Sequence, residues 1–277
     1  MRLPIALAVL AVTTGCHPVP PATLRPAPPR SPAFVDGAPP VNPTAPSRAV
    51  SSGGGRVAWM QGAAVAVLEG GVVTLVELPG EGLHDARLSP DGLALAAVTA
   101  GRELVVSPLP WTTPRRYGIA AAPAWSPAGD RIACESGEGL WIVELAGGTR
   151  TWLGPGTAPA WSPDGSRLVF TLGTPPSLWI MTHEGSDRRL LPTRPDVHTP
   201  AWSPDGRWIA FAAFHDGRPD DLWAVAADGA CTVRVTWDPL PESEPHWGTG
   251  GLLWYTRTRG GVPSLWTSRV SNPELLP

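Results

Sequence analysis

Residues 160–170 read AWSPDGSRLVF, and forty-one positions further on the chain reads AWSPDGRWIAF. A phrase restated at a regular interval must fold the same way each time and pack against its own copies, which narrows the possible folds more than any composition does. Fainter copies lie on both sides: LSPDG from Leu88, WSPAG from Trp125, and degenerate forms as VSSGGGRVAW from about Val50 and HWGTGG around Trp247. With Val50, Leu88, Trp125, Trp161, Trp202 and Trp247 as anchors, the spacings are 38, 37, 36, 41 and 45 residues.

The chemistry of the phrase predicts a hairpin. Pro163 and Pro204 preset φ for the second position of a type I turn, Asp164 and Asp205 suit the third, and Gly165 and Gly206 accept the positive φ that follows. Such a turn joins two antiparallel strands. PAW stands before it and RLVF or WIAF after it, all short and rich in β-branched or aromatic residues. A second hairpin follows in SLWIMTHEGSDRRLLP and in DLWAVAADGACTVRVT. Its first strand recurs in step as Leu140-Trp141, Leu178-Trp179, Leu222-Trp223 and Leu265-Trp266, and the closing NPELLP mimics the DRRLLP of the fourth unit.

One unit is therefore four short strands in about forty residues, and radial repetition of such sheets makes an all-β propeller. Six blades are expected, with five or seven left open by the degenerate first and last anchors. Fourteen Trp against two Tyr and four Phe fit one packing position between blades, refilled at each repeat.

The first 48 residues read differently. Arg2 precedes an apolar stretch from Leu3 to Val12, too short to span roughly 30 Å of hydrocarbon as a helix, so residues 1–16 read as an export signal. Their Gly15-Cys16 ending resembles a bacterial lipoprotein signal, with Cys16 as the lipidated residue, although Thr13 stands where that family prefers Leu. Residues 17–48 hold eleven prolines in thirty-two positions. Such a segment favours an extended chain of roughly 3.1 Å per residue, a tether reaching roughly 100 Å. Residues 49–277 then form the propeller. Cys134 falls where sister repeats have Phe170 and Phe211, so it reads as a small buried hydrophobe and not as a disulfide partner of Cys231.

At the repeated phrase the chain resembles the TolB-like propellers, a WD40-like repeat family whose units carry Pro-Ala-Trp-Ser-Pro-Asp-Gly and a later Asp-(Ile/Leu)-(Tyr/Trp) strand. TPAWSPDGRWIAFAAFHDGRPDDLWAVAADG, residues 199–229, follows that pattern almost throughout; the units at 88, 125 and 161 follow it in part, and those at 50 and 247 poorly. The resemblance covers residues 50–277 and implies the fold. Propellers of this kind serve as binding platforms, as partner domains of serine peptidases and occasionally as lyases. The family's namesake has an N-terminal α/β domain where this chain has the tether, so contacts made by that domain are not carried over.

Net charge is −3 and every basic residue is Arg. No clustered cationic surface suggests nucleic acid, whose binding rests on neutralising phosphates. The chain has no Gly-x-Ser-x-Gly elbow, phosphate loop, His-Glu-x-x-His or paired Cys-x-x-Cys. The acidic HDGRPDD loop (Asp216, Asp220, Asp221) lacks the alternation of a calcium loop. Arg188, Arg189, Arg257 and Arg259 read as solvated strand ends.

The remaining candidate site is positional. Four residues before their anchors stand His84 and His198, in segments entering the innermost strands, which open on a propeller's central channel. Asp85, Thr199, Ser243, Glu244 and His246 occupy neighbouring slots. His84, Asp85, His198, Ser243, Glu244 and His246 are thus expected at a channel mouth that binds a ligand or partner, with no catalytic residue and no resident cofactor or metal. The alternative is a lyase or hydrolase in which the three imidazoles hold a divalent metal. The overall expectation is a monomeric, exported, non-enzymatic scaffold of the cell envelope. It would face the periplasm from a lipid anchor and bind a protein or peptide.

Overall fold

The computed structural model describes residues 50–77, 82–109, 114–137, 139–215, 218–236, 239–247 and 252–269. The segments read as an export signal and a proline-rich tether, with Cys16, lie outside these residues. Every described regular element is a β-strand, and no helix among them is long and apolar enough to cross a membrane.

Each repeat folds into its own antiparallel sheet, with strands hydrogen-bonded in chain order. The first sheet holds β1 (Val50–Gly53), β2 (Arg56–Gln61), β3 (Ala64–Glu69) and β4 (Val72–Val76). The second holds β5 (Leu83–Leu88), β6 (Ala94–Thr99), β7 (Glu103–Pro108) and β8 (Arg115–Ile119); the third, β9 (Ala121–Trp125), β10 (Arg131–Ser136), β11 (Gly139–Glu144) and β12 (Arg150–Pro155). The fourth holds β13 (Thr157–Trp161), β14 (Arg167–Leu172), β15 (Ser177–Thr182) and β16 (Arg189–Leu190); the fifth, β17 (Val197–Trp202), β18 (Trp208–His215), β19 (Arg218–Ala226) and β20 (Thr232–Arg234). The last is a three-stranded sheet of β21 (Glu242–Trp247), β22 (Leu252–Arg259) and β23 (Val262–Arg269).

The expectation of six four-stranded blades is therefore corrected to five. A complete blade needs a fourth strand on the ladder, and the closing NPELLP of the last unit, residues 272–277, lies outside the described residues.

Alternation along the strands explains why the sheets stack. Side chains of a strand point to opposite faces in turn, so a strand between two neighbours must be apolar at nearly every position. In β18, Trp208, Ala210 and Ala212 enter the core shared with the last sheet, while Ile209, Phe211 and Ala213 enter the one shared with the fourth. Cys134 is a free, buried thiol, and Cys134, Phe170 and Phe211 pair in register with Trp141, Trp179 and Trp223, so the three are equivalent. Burial pushes the Cys134 thiol up to about 11, which keeps it protonated and inert.

The turns form as their sequence predicts. Ser162 O accepts from Gly165 N (2.9 Å), Gly165 sits at φ +72°, and Ser162 Oγ donates to Asp164 Oδ1 (2.6 Å). In the third sheet Ala128 replaces that aspartate, and Asp130 takes over by accepting from Ser126 Oγ at 2.8 Å. The anchor indoles tie sheet to sheet: Trp125 Nε1 donates to the Arg87 carbonyl (2.9 Å) and Trp161 Nε1 to that of Ala124 (3.1 Å).

Three arginines read as solvated strand ends are structural. Arg257 is buried and bound to Glu242, 2.5 Å away, over the Trp266 ring. Arg188 donates to the Leu153 and Pro155 carbonyls of the preceding sheet, and Arg189 to those of Ala227 and Asp228 in the following one. Strand ends at these positions reach unpaired carbonyls of neighbouring sheets, which guanidinium donors satisfy.

Candidate functional site

The innermost strands carry a shared irregularity. Proline has no N–H to give the ladder, and β9, β13, β17 and β21 each place one, Pro123, Pro159, Pro200 or Pro245, in mid-strand. Pairing slips there, between Thr157 and Ala160, His198 and Ala201, and Ser243 and His246. The residue before each proline takes a positive φ: Ala122 +47°, Ala158 +49°, Thr199 +51° and Glu244 +53°. None is glycine, and the β-branched Thr199 is the most strained. Neighbouring sheets help hold the bend, since Ala158 N donates to Glu135 Oε2 (3.1 Å) and Glu244 N to Thr199 Oγ1 (3.3 Å). In β5 Ala86 replaces the proline, and the slip falls one step earlier, between Leu83 and Asp85.

The bulged residues surround a funnel of about 540 Å³ at the channel mouth. Its wall is asymmetric. Ala122, Ala124, Ala158 and Ala160 form a small-residue side with their prolines and indoles, whereas Ser52, Asp85, Arg87, Glu244 and His246 form a polar side. Arg87 Nη1 lies 2.6 Å from Asp85 Oδ1, an ion pair partly open to solvent.

His246 meets the first sheet. Its Nε2 accepts from Ser52 N (3.2 Å) and lies 3.1 Å from Ser52 Oγ. An imidazole nitrogen that accepts from an amide carries no proton, so the neutral ring has its hydrogen on Nδ1. Burial, aided by the Arg87 charge, pushes the His246 pKa down to about 4.

Of the residues expected at the mouth, His84, Asp85, Glu244 and His246 line it and His198 and Ser243 do not. The latter two stand one step before the bulge, where strand alternation turns them aside. His198 Nε2 pairs with Asp220 Oδ2 at 3.2 Å, and the Asp220 hydrogen bond raises its pKa against the opposing effect of burial. Ser243 Oγ is 2.9 Å from Thr256 Oγ1, just as Thr157 Oγ1 is 2.8 Å from Thr171 Oγ1. The acidic loop's Asp221 pairs with Arg234, and Asp216 lies outside the described residues. Among the described residues no group of three or more His, Cys, Asp or Glu side chains is placed to hold a metal ion.

Two lining residues escape the sequence reading. Arg87 is signalled only by period two, standing two residues after Asp85 where other repeats have alanine or His246. Ser52 lies in the degenerate first repeat and carries no such signal.

Stacked antiparallel sheets around a channel define the class: the molecule is a β-propeller. Among solved structures it is similar to a protein assigned as TolB from Agrobacterium tumefaciens, at 16% identity and a TM-score of 0.62, over 80% of this chain and 89% of that one. TolB from Acinetobacter baumannii aligns at 16% identity and TM-score 0.56, over 76% of this chain and 60% of that one. An oligogalacturonate lyase in complex with manganese aligns at 14% and 0.55, over 80% and 87%. At these identities the likeness shows the fold alone. No protein-family model and no curated protein sequence matches the chain.

Proposed function

We propose that this protein is a non-enzymatic binding module that receives a protein or peptide segment at the channel mouth. The observation that carries the reading is the two-sided funnel: an apolar, alanine- and proline-rich wall faces a polar wall holding both signs of charge. Concave sites of a few hundred Å³ with sparse, placed polar groups suit orientation of a bound chain. Ser52, Asp85, Arg87, Glu244 and His246 orient the ligand; the small residues leave room for it. The export signal and the Gly15-Cys16 ending support placement in the cell envelope, with the lipid on Cys16 and the proline-rich tether as spacer. The manganese-bound lyase shares the fold; among the described residues no group of three or more His, Cys, Asp or Glu side chains is placed to hold a metal ion, and the binding reading is preferred over a metal-dependent lyase or hydrolase.

The test is selection of displayed envelope-derived peptides on the intact protein, followed by calorimetry. Binders are expected at roughly micromolar Kd, weakened about tenfold or more by Arg87→Glu or Glu244→Arg. Binders indifferent to both substitutions contradict the reading.

A further inference from the structure

The seam joining the first and last sheets differs from the rest. Each of the other five seams is filled by buried apolar side chains, such as Leu83, Leu88 and Leu95 between the first and second sheets or Leu222, Trp208 and Tyr255 between the fifth and last. Among the described residues no buried apolar cluster spans the closing seam; Trp59 and Ala66 cluster with residues of the first sheet alone. The side-chain bonds described across it are those of His246 to Ser52, residues 194 positions apart in the chain. They depend on a single lone pair, because a neutral imidazole has one accepting nitrogen.

We propose that His246 is an acid-sensitive catch closing the ring: neutral, it holds β1 through the Ser52 amide; protonated on Nε2, it presents a donor to that amide donor and keeps only the Ser52 hydroxyl as an acceptor, and the first and last sheets part at the mouth. This is independent of what the mouth binds. The surrounding charges favour the neutral state at ordinary pH. Arg87 of β5 opposes a second positive charge, and its own partner Asp85 is already engaged. On the same strand Glu242 is tied to Arg257 of β22, while Glu244 stands at the mouth. His198 of β17 is paired with Asp220 of β19, and Asp221 of β19 with Arg234. Exposed Arg259 lies at the far end of β22, β18 presents no charged group among its described side chains, and β1 has none in its sequence. Burial acts in the same direction as Arg87. Protonation therefore falls well below neutrality, where it couples to opening of the seam.

The experiment is hydrogen exchange of the intact protein from pH about 7 to about 4, corrected for intrinsic rates, on wild type and His246→Gln. The glutamine carbonyl can accept from Ser52 N but does not titrate. In wild type, protection of β1 and β21 should fall about tenfold or more between pH about 6 and about 4, with β10 and β14 unchanged; in the variant the same strands should hold within about twofold. Equal loss in both proteins, or simultaneous loss in every sheet, overturns the proposal. Should the variant not fold, nitrogen-resolved NMR of wild type decides. The His246 ring should titrate below pH about 5 together with the Ser52 amide, whereas titration near the ordinary value without a Ser52 response overturns it.

Discussion

At the scale of single residues, the turn aspartates illustrate how a short phrase acts in both local geometry and acid stability. Asp164 accepts from Ser162 Oγ and from Ser166 N, and the Ser162 bond holds its carboxyl below the ordinary value. The serine bond does the same for Asp91 and Asp130. A carboxylate so depressed stabilises the fold above its unfolded pKa, and that contribution disappears as pH falls through the folded value. Asp164→Ala should cost under about 1 kcal/mol at neutral pH in urea unfolding, because the carboxylate is exposed to screening, and less in strong acid. Asp130→Ala should cost as much, although Asp130 stands outside the motif. His198 has the opposite sign. Its raised pKa gives stability below the unfolded value of 6.5 that is lost as pH rises through the folded one. His198→Gln should therefore destabilise more at pH about 6 than at pH about 8, by under about 1 kcal/mol because the pair is exposed to screening. A uniform loss at both pH values would contradict this.

At the scale of elements, the four-strand unit was legible and the shape of its innermost strand was not. Ser-Pro-Asp-Gly and the recurrent Leu-Trp announce two hairpins by turn chemistry and period, and those hairpins formed. The positive φ of Ala122, Ala158, Thr199 and Glu244 falls at the residue before each mid-strand proline, yet a residue in that place ordinarily favours extended backbone, so the proline alone does not announce the bend. That bend decides which slots line the mouth, so Asp85, Glu244 and His246 were placed there but His198 and Ser243 turned aside. The solvated reading of Arg257 failed because its partner, Glu242, sits where other repeats have Leu83, Ala120, Gly156 or Val197, and only the fold brings the two together. Arg257→Met should cost about 3–5 kcal/mol by removing the ion-pair partner of the buried Glu242 carboxylate. The double variant with Glu242→Leu should recover most of that loss in thermal unfolding. Trp161→Phe, which removes the donor to the Ala124 carbonyl while keeping an aromatic ring, should cost about 1 kcal/mol beyond any repacking.

At the scale of the whole molecule, closure unites fold and candidate site. The first and last repeats are the most degenerate, and they are the two that meet. Their junction joins Ser52 and His246, a pairing no local pattern could disclose, since His246 takes a slot held by alanine or Arg87 in the intervening repeats. The polar wall of the mouth exists only because those ends come together beside Asp85 and Arg87. Added manganese or zinc should shift the thermal midpoint by less than about 1 °C, since binding to the folded state would raise it; a larger, saturable rise would restore the metal-dependent alternative. Closure itself is tested most directly by a nuclear Overhauser cross-peak between the Ser52 amide proton and the His246 ring in the intact protein at neutral pH. A cross-peak, expected from the 3.2 Å separation of the nitrogens, is the predicted result. Its absence, with both resonances assigned, would mean that the sheets do not come full circle.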